Sequence, residues 1–357
     1  MIRPVERRDV PAIVRLHVEV FGHPDPGLER FSDLGYERLL FDHPWRRDDP
    51  AGLVVEREGR IVGSVAILPQ RMRLDGEDLR VLVPTKFIVE SGVARGLVAA
   101  QLVRALVDQP HDLLLSDNGT DAMLPLWQRA GGFVLTVRSL SWTRTFRPGE
   151  SWRQRLLRRR GGERVIARFG VPVARLVDLG LARGGWNHFS VEPSLAVEEV
   201  DSFGRLYPLM ESVAETRPLR PVFDHDVLDW QLAALRGMQG PARTLRALIV
   251  RTHGGHDVGW ALYYAWPGGV SEVLQLHCLK AELAVPFLRA VLERMSLEGA
   301  LAVRGPVDES VLRALGSERC TLTVGRPWYL AETPHRELQT LLRSGDFMHS
   351  RLEGEWW

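Results

Sequence analysis

The sequence is short of the residues that would place it in an oxidising or membrane setting. It has two cysteines, Cys278 and Cys320, too few for a disulfide framework, which excludes the small stapled folds of secreted domains. No stretch comes near the roughly 20 consecutive apolar residues of a membrane span. The opening residues from Met1 to Asp9 contain no apolar core segment of the kind a signal peptide needs, so the expected location is the cytoplasm. Lysine is almost missing: only Lys86 and Lys280 stand among the 46 basic residues, a usage that reads as arginine spelled by a GC-rich genome. Against 45 acidic residues the net charge is +1, which gives no general case for nucleic-acid binding. Tyrosine is sparse as well, five in all, with none between Tyr36 and Tyr207. What remains is ordinary globular material, 45% hydrophobic and 25% charged over 357 residues, long enough at about 150 residues per domain for about two domains.

The pattern of apolar residues predicts a mixed α/β order. Ile2-Arg3-Pro4 reads as a short strand. Asp9 can cap a helix with Pro11 in its first turn, and Val10, Ile13, Val14, Leu16, Val18 and Phe21 give that helix an apolar face. Phe31, Leu34, Leu39 and Leu40 predict a second helix. Leu53 to Glu56 and Ile61 to Leu68 read as strands joined by a hairpin turn at Arg57-Glu58-Gly59-Arg60. Another turn at Leu74 to Glu77 leads into a strand ending at Phe87-Ile88-Val89. The period then changes to helical for Leu97 to Leu106. The wholly apolar Leu113-Leu114-Leu115 reads as a buried parallel strand. Asp121 to Arg129 follows as a helix, Gly131-Gly132 ends it, and Phe133 to Phe146 alternates as one strand. Strands and crossover helices in this order predict a mixed sheet.

The second half repeats the order. Val62-Gly63-Ser64-Val65-Ala66 is echoed by Val258-Gly259-Trp260-Ala261-Leu262, and Leu102 to Leu106 by Leu288 to Leu292. Leu135-Thr136-Val137 is echoed by Leu322-Thr323-Val324, and Trp142 falls where Tyr329 does. The expected organisation is therefore a first domain over 1–147, a connector over 148–187 and a second domain over 188–357. The connector is basic. Nine arginines from Arg153 to Arg183 face Glu150, Glu163 and Asp178, with apolar residues between them at helical spacing. A solvated arginine face on a packed connecting element is the first reading; a contact surface for phosphate-rich partners such as tRNA or anionic lipid is the second.

Where the strand ending at Val89 meets the next helix, the sequence runs Glu90-Ser91-Gly92-Val93-Ala94-Arg95-Gly96-Leu97-Val98-Ala99-Ala100. Small residues at a helix start let backbone N–H groups approach an anion, and the helix dipole and Arg95 favour it. The same residues also suit close packing of a helix on a sheet. This loop resembles the acyl-CoA pyrophosphate loop of the GCN5-related N-acetyltransferase (GNAT) superfamily, Arg/Gln-x-x-Gly-x-Gly/Ala after a central strand. Arg95 matches the leading Arg, Gly96 the glycine beside it and Ala100 the terminal small residue. Val98 stands where the family has its middle glycine. The first strand and capped helix, and the stretch from Trp127 to Phe133, also resemble the family over residues 1–147.

The resemblance implies an α/β mixed-sheet fold with two tandem GNAT-like domains, the second degenerate. It implies acetyl-CoA, or another acyl-CoA, held by Phe87, Ile88, Val89, Arg95, Gly96, Leu97, Val98, Ala99, Ala100 and Asn118. A small-molecule or peptide amine would attack the thioester directly, with Glu90 and then Asp117 as candidate bases. Where the family commonly has a Tyr to protonate the thiolate, this chain has Trp127, and the first half has no tyrosine near by. In the second half Lys280 to Pro286 forms no glycine loop and Glu282 puts negative charge where a pyrophosphate needs positive. That domain is expected not to hold CoA and to shape an acceptor groove or an interface. His253, His256 and His277 are candidate site residues there, at a spacing that fits no structural zinc pattern, and no metal is expected. Gly354-Glu355-Trp356-Trp357 reads as a packed aromatic tail. The rival readings are a non-catalytic GNAT-like binding module, and a Fem-type transferase that takes its acyl group from aminoacyl-tRNA.

Overall fold

A computed structural model describes the chain except for residues 23–31, 48, 93–94, 158–162, 188, 190–191, 238–241 and 355–357, and the side chains of 163–170. Phe31, Val93, Ala94, Arg158, Arg159, Arg160 and the tail residues Glu355, Trp356 and Trp357 thus lie outside the described residues.

The chain begins with β1 (Ile2–Pro4), α1 (Val10–Phe21) and α2 (Asp33–Phe41). Asp9 does not cap α1 through its side chain. It accepts instead from the Glu6 N–H at 2.8 Å and from both terminal nitrogens of Arg3, at 2.7 and 2.8 Å. It therefore fixes the turn before the helix, while Pro11 takes the first-turn place expected of it. The long hairpin is built from β2 (Gly52–Arg57), β3 (Arg60–Leu74) and β4 (Glu77–Val89). Glu58 and Gly59 join the first pair and Asp75 and Gly76 the second, all four at positive φ. Two consecutive positive φ values make a turn whose twist matches that of the strands. Next come α3 (Arg95–Val107), β5 (Leu113–Gly119), α4 (Leu124–Arg129) and β6 (Phe133–Val134). The segment expected as a single strand from Phe133 to Phe146 breaks after Val134 and resumes as β7 (Leu140–Thr145).

Two helices, α5 (Pro148–Leu157) and α6 (Glu163–Arg183), follow as the basic connector. After β8 (Leu195–Glu199) come α7 (Tyr207–Ala214), β9 (Leu219–Pro221) and α8 (His225–Gly237). The repeat then runs through β10 (Thr244–Thr252), β11 (Asp257–Ala265), β12 (Val270–Cys278), α9 (Ala284–Leu297), β13 (Ala302–Pro306), α10 (Leu312–Ser317) and β14 (Thr321–Val324). It closes with β15 (Trp328–Glu332) and α11 (Arg336–Ser344).

The two halves share an order of elements but not a connectivity. One sheet reads β1-β2-β3-β4-β5-β15-β6, with β9 paired to β3, and the other reads β14-β7-β13-β12-β11-β10-β8. Each repeat has lent its last long strand to the sheet of the other. The compact units are accordingly 1–140 with 203–240 and 324–357, and 141–202 with 241–323. They differ from the contiguous segments 1–147, 148–187 and 188–357 that the sequence led us to expect. Apolar periodicity says that a strand is buried; it does not say which sheet buries it.

In the first unit, Val10, Ile13, Tyr36, Leu39, Leu40, Val81, Val83, Leu113 and Leu115 form a core on one face of the sheet. Leu82, Val98, Leu102, Leu106, Leu114 and Trp127 form a second core on the other face. Burial on both faces explains the unbroken apolar runs of the central strands. Gly63 lets α3 lie close on β3, since a Cβ there would meet Val98 Cγ1 at 2.7 Å. Its counterpart Gly259 does the same beneath Phe287 of α9, also at 2.7 Å, and this shared packing need accounts for the matching strand motif. The second unit has its own core around Trp142, Tyr263, Phe287, Leu288, Val291 and Val303. Among the described residues no helix is long and apolar enough to cross a membrane.

Candidate functional site

β4 and β5 run parallel but share only two residue pairs, Val81 with Leu113 and Leu82 with Leu114. β4 continues to Val89 and β5 to Gly119, so beyond these pairs the strands part. The sheet opens there, and the edge of β4 that faced β5 loses that partner. Along its other edge β4 pairs with β3 and carries a bulge: Thr85 lies opposite Ala66 and Ile88 opposite Ser64, three steps against two. Lys86, inside the bulge, has φ +51°. A bulge of this kind bends a strand and re-aims its side chains.

Past the mouth of the opening α3 begins at Arg95. The first N–H groups of a helix have no acceptor within it and carry its positive dipole end. Arg95 and Gly96 are exposed, as is Leu97 at 58%. A Cβ on Gly96 would meet nothing within 4 Å, so packing does not demand glycine at this position and the space over it is open. Val98 and Ala99, by contrast, are buried in the core under α3, as are Val89 and Ile88 within β4. Of the expected acyl-CoA residues, Ile88, Val89, Val98 and Ala99 can therefore offer only backbone groups. Arg95, Leu97, half-buried Phe87 and Ala100, and exposed Asn118 can present side chains as well, and exposed Gly96 its backbone N–H.

The two candidate carboxylates are not brought together. Counted from the last pair, Asp117 on β5 and Thr85 on β4 each stand three residues further along the diverging strands. Glu90 is five residues further along a parallel direction, about 16 Å at the usual strand rise. It is half-buried and its Oε1 accepts from Arg60 Nη2 at 2.9 Å. Asp117 is 6% exposed and shares the face of Leu113 and Leu115, whereas Asn118 shares that of Leu114, over which α3 and α4 lie.

Around Asp117 the structure gathers residues that the sequence left scattered. The segment after α11 returns to this face. Phe347 and Leu352 are fully buried, Met348 N–H donates to Leu219 O at 2.9 Å, and Gln231 Nε2 donates to Leu352 O at 3.3 Å. Gly354 is pressed on the Asp117 carboxyl group, and Arg351 Nε stands 3.7 Å from its Oδ2. Glu353, buried, accepts through Oε2 from the Ser350 N–H at 2.7 Å and hydroxyl at 2.6 Å. Burial, aided by the charge of Asp117, lifts its pKa above the usual carboxylate range. Tyr329 arrives on the exchanged strand β15. Burial pushes its phenol well above its ordinary pKa, Asp117 adds to the effect, and its hydroxyl has no hydrogen-bond partner among the described residues. His349 packs edge-on against Tyr329 at 5.4 Å between ring centres, and burial, with Arg138 near by, pulls its pKa down to about 3.

Tyr329, His349 and Glu353 could not be found from the sequence. The only signal was the alignment of Tyr329 with Trp142, and it did not reveal that the two strands change places. The first unit does contain a tyrosine beside Asp117, supplied by the second half of the chain. Trp127, at the expected place of that tyrosine, is 1% exposed and donates its indole N–H to Ala331 O at 2.9 Å.

The second unit parts its strands in the same way after three pairs, the last being Glu272 with Arg304, but its own chain occupies the gap. The Cys278 N–H donates to Ser310 Oγ at 2.9 Å, and His277 Nδ1 lies 3.2 Å from Asp308. Burial opposes ionisation of Asp308, yet the His277 and Ser310 hydrogen bonds hold its pKa below the ordinary value. His253 and His256 sit exposed in the turn between β10 and β11, whereas His277 is on β12 opposite Trp260. Among the described residues no three His, Cys, Asp or Glu side chains group as a metal site would require.

Residues 1–112 match the acetyltransferase (GNAT) domain family. No curated protein sequence matches the chain. Among solved structures, a probable N-acyltransferase of unknown function from Enterococcus faecalis V583 is similar with TM-score 0.58 and 13% identity, over 96% of this chain and 74% of that one. A GCN5-related N-acetyltransferase from Anabaena variabilis gives 0.57 and 11%, over 93% and 72%. The N-myristoyltransferase of Saccharomyces cerevisiae, solved with bound myristoyl-CoA, gives 0.55 and 9%, over 92% and 76%. At such identities the likeness is one of fold.

Proposed function

We propose that the chain, whose residues 1–112 match the acetyltransferase (GNAT) domain family, is an acyl-CoA-dependent N-acyltransferase whose donor is acetyl-CoA. The observation that carries this reading is the parting of β4 from β5 after two pairs, with the open start of α3 at its mouth.

Arg95 and the N–H groups of Gly96, Leu97 and Val98 are the groups suited to a pyrophosphate. The edge of β4 beyond Leu82 offers backbone donors and acceptors to an amide-bearing arm lying in the opening, as a neighbouring strand would have. The thioester would then come level with the bulge at Lys86 and Phe87. There an amine forms its bond to the acyl carbon as the carbon–sulfur bond breaks, the amine loses a proton and the thiolate gains one.

We assign Asp117 as the proton acceptor because it follows the last β4–β5 pair by three residues, as Thr85 at the start of the bulge does on β4. Glu90, paired with Arg60 further along, is not so assigned. Tyr329 stays protonated at neutral pH beside Asp117 and is the phenol available as a hydrogen donor. In the second unit the tie between Cys278 and Ser310 takes up backbone that a CoA arm would need, which supports acyl-CoA binding by the first unit alone.

The test is release of free CoA thiol from acetyl-CoA by the full chain against a panel of amino acids, polyamines, aminosugars and peptide N-termini. Amine-dependent thiol release is expected. Release no faster than without protein across the panel, with acetyl-CoA bound, would leave a binding module in its place.

A further inference from the structure

The basic helical pair α5 and α6 has no part in the site above. α6 is held against α5 by one side. Ala174 is 1% exposed, and Gly149 of α5 approaches so closely that an added Cβ would stand 2.4 Å from the Ala174 carbonyl oxygen. One turn along, the Asp178 carboxylate accepts from the Gly149 and Glu150 N–H groups at 2.6 and 3.1 Å. These contacts fix which way α6 is turned about its axis. The stripe pointing elsewhere is apolar: Val173, Leu176 and Val177 recur at helical spacing and are 47%, 69% and 45% exposed, with Leu179 at 53%. On α5 Trp152 is 54% exposed.

The charges of the pair are unbalanced. Two of its acids are consumed internally, Asp178 at the start of α5 and Glu150 by Arg153, 2.5 Å away. Arg155, Arg175 and Arg183 are exposed and form no ion pair among the described residues. The 21-residue α6 contains Pro172 and is interrupted by arginines, so it cannot cross a bilayer.

We propose that the α5–α6 pair is a peripheral membrane-docking surface, with Leu176, Leu179 and Val173 entering the interfacial region of an anionic bilayer and Arg155, Arg175 and Arg183 meeting its phosphates. An apolar stripe flanked by arginines is what such an interface takes, and each basic residue near an anionic leaflet strengthens attachment. A nucleic acid would use the arginines but leave the exposed leucines and valines in water. The lipid surface is the partner that satisfies both features at once.

The experiment is co-flotation of the full chain with vesicles of phosphatidylcholine alone, and with vesicles of phosphatidylcholine and phosphatidylglycerol in a two-to-one ratio. Two variants are compared, Leu176→Asp with Leu179→Asp, and Arg155→Glu with Arg175→Glu. All altered side chains are exposed, and circular dichroism checks that each variant is folded. Flotation is expected with the anionic vesicles only, falling about tenfold or more for either variant and declining with salt. No flotation with anionic vesicles overturns the proposal. So does binding untouched by the leucine changes, or tight salt-dependent binding of a short RNA lost only with the arginines, which would assign the surface to nucleic acid.

Discussion

Gly354 lies on the Asp117 carboxyl group so closely that a Cβ added to it would stand 2.5 Å from Cγ. The end of the described chain is thereby packed onto Asp117 of β5. Gly354→Ala forces one of the two to move in a buried place, an overpacking change that costs about 1–3 kcal/mol. Urea denaturation checks it; an unchanged midpoint would show that the terminal segment is not held against Asp117.

The two carboxylates should separate in kinetics. Asp117→Asn is expected to lower kcat by about a hundredfold or more, the scale of a lost general base, while Glu90→Gln changes it by less than about threefold. Acetyl-CoA affinity, measured by calorimetry, should hold in both variants. Loss of affinity in Asp117→Asn would recast the residue as structural, and a large loss of kcat in Glu90→Gln would move the chemistry to the end of β4.

Gly63→Ala tests the coupling of packing to the site. Its new Cβ meets Val98 at 2.7 Å, so α3 must shift on β3 at a cost of about 1–3 kcal/mol. Because Val98 lies in the first turn of α3, acetyl-CoA affinity should fall together with stability. Lost stability with unchanged affinity would mean that the helix start does not contact the donor.

Acid should weaken the first unit through two buried histidines. Burial, with Arg46 near by, pulls His43 down to about 3, and burial with Arg138 does the same for His349. Both folded values lie below the ordinary 6.5, so the unfolded chain binds more protons between those limits. The stability they contribute is complete above about pH 6.5 and is lost as pH falls toward 3, by up to about 1.4 kcal/mol per pH unit for each. His349→Phe should make the melting temperature fall less steeply between pH 6.5 and 5. An unaltered slope would rule out a neutral buried His349.

Much of the first unit was legible because local rules were obeyed. Glu58-Gly59 and Asp75-Gly76 made turns where turn chemistry asked for them, and the strand ending at Val89 did lead into a helix opened by Arg95 and Gly96. The failures share one cause, which is long-range pairing. Nothing local to β7 or β15 reveals that each pairs in the other sheet, so Tyr329 could not be assigned to the neighbourhood of Asp117 from spacing. Glu353 and His349 were hidden for the same reason, since a terminal segment with little regular structure has no period to betray its burial. Asp9 misled in a simpler way: Arg3 and the Glu6 N–H outcompeted the first turn of α1 for its carboxylate.

On this reading each chain binds one acyl-CoA, held by the first unit at the start of α3. Calorimetric titration of acetyl-CoA into the full chain counts the sites and measures their affinity. A single site is expected, with Kd raised about tenfold or more, at least about 1.4 kcal/mol, by Arg95→Glu. Absence of binding heat, two sites per chain, or a Kd indifferent to Arg95→Glu would contradict it.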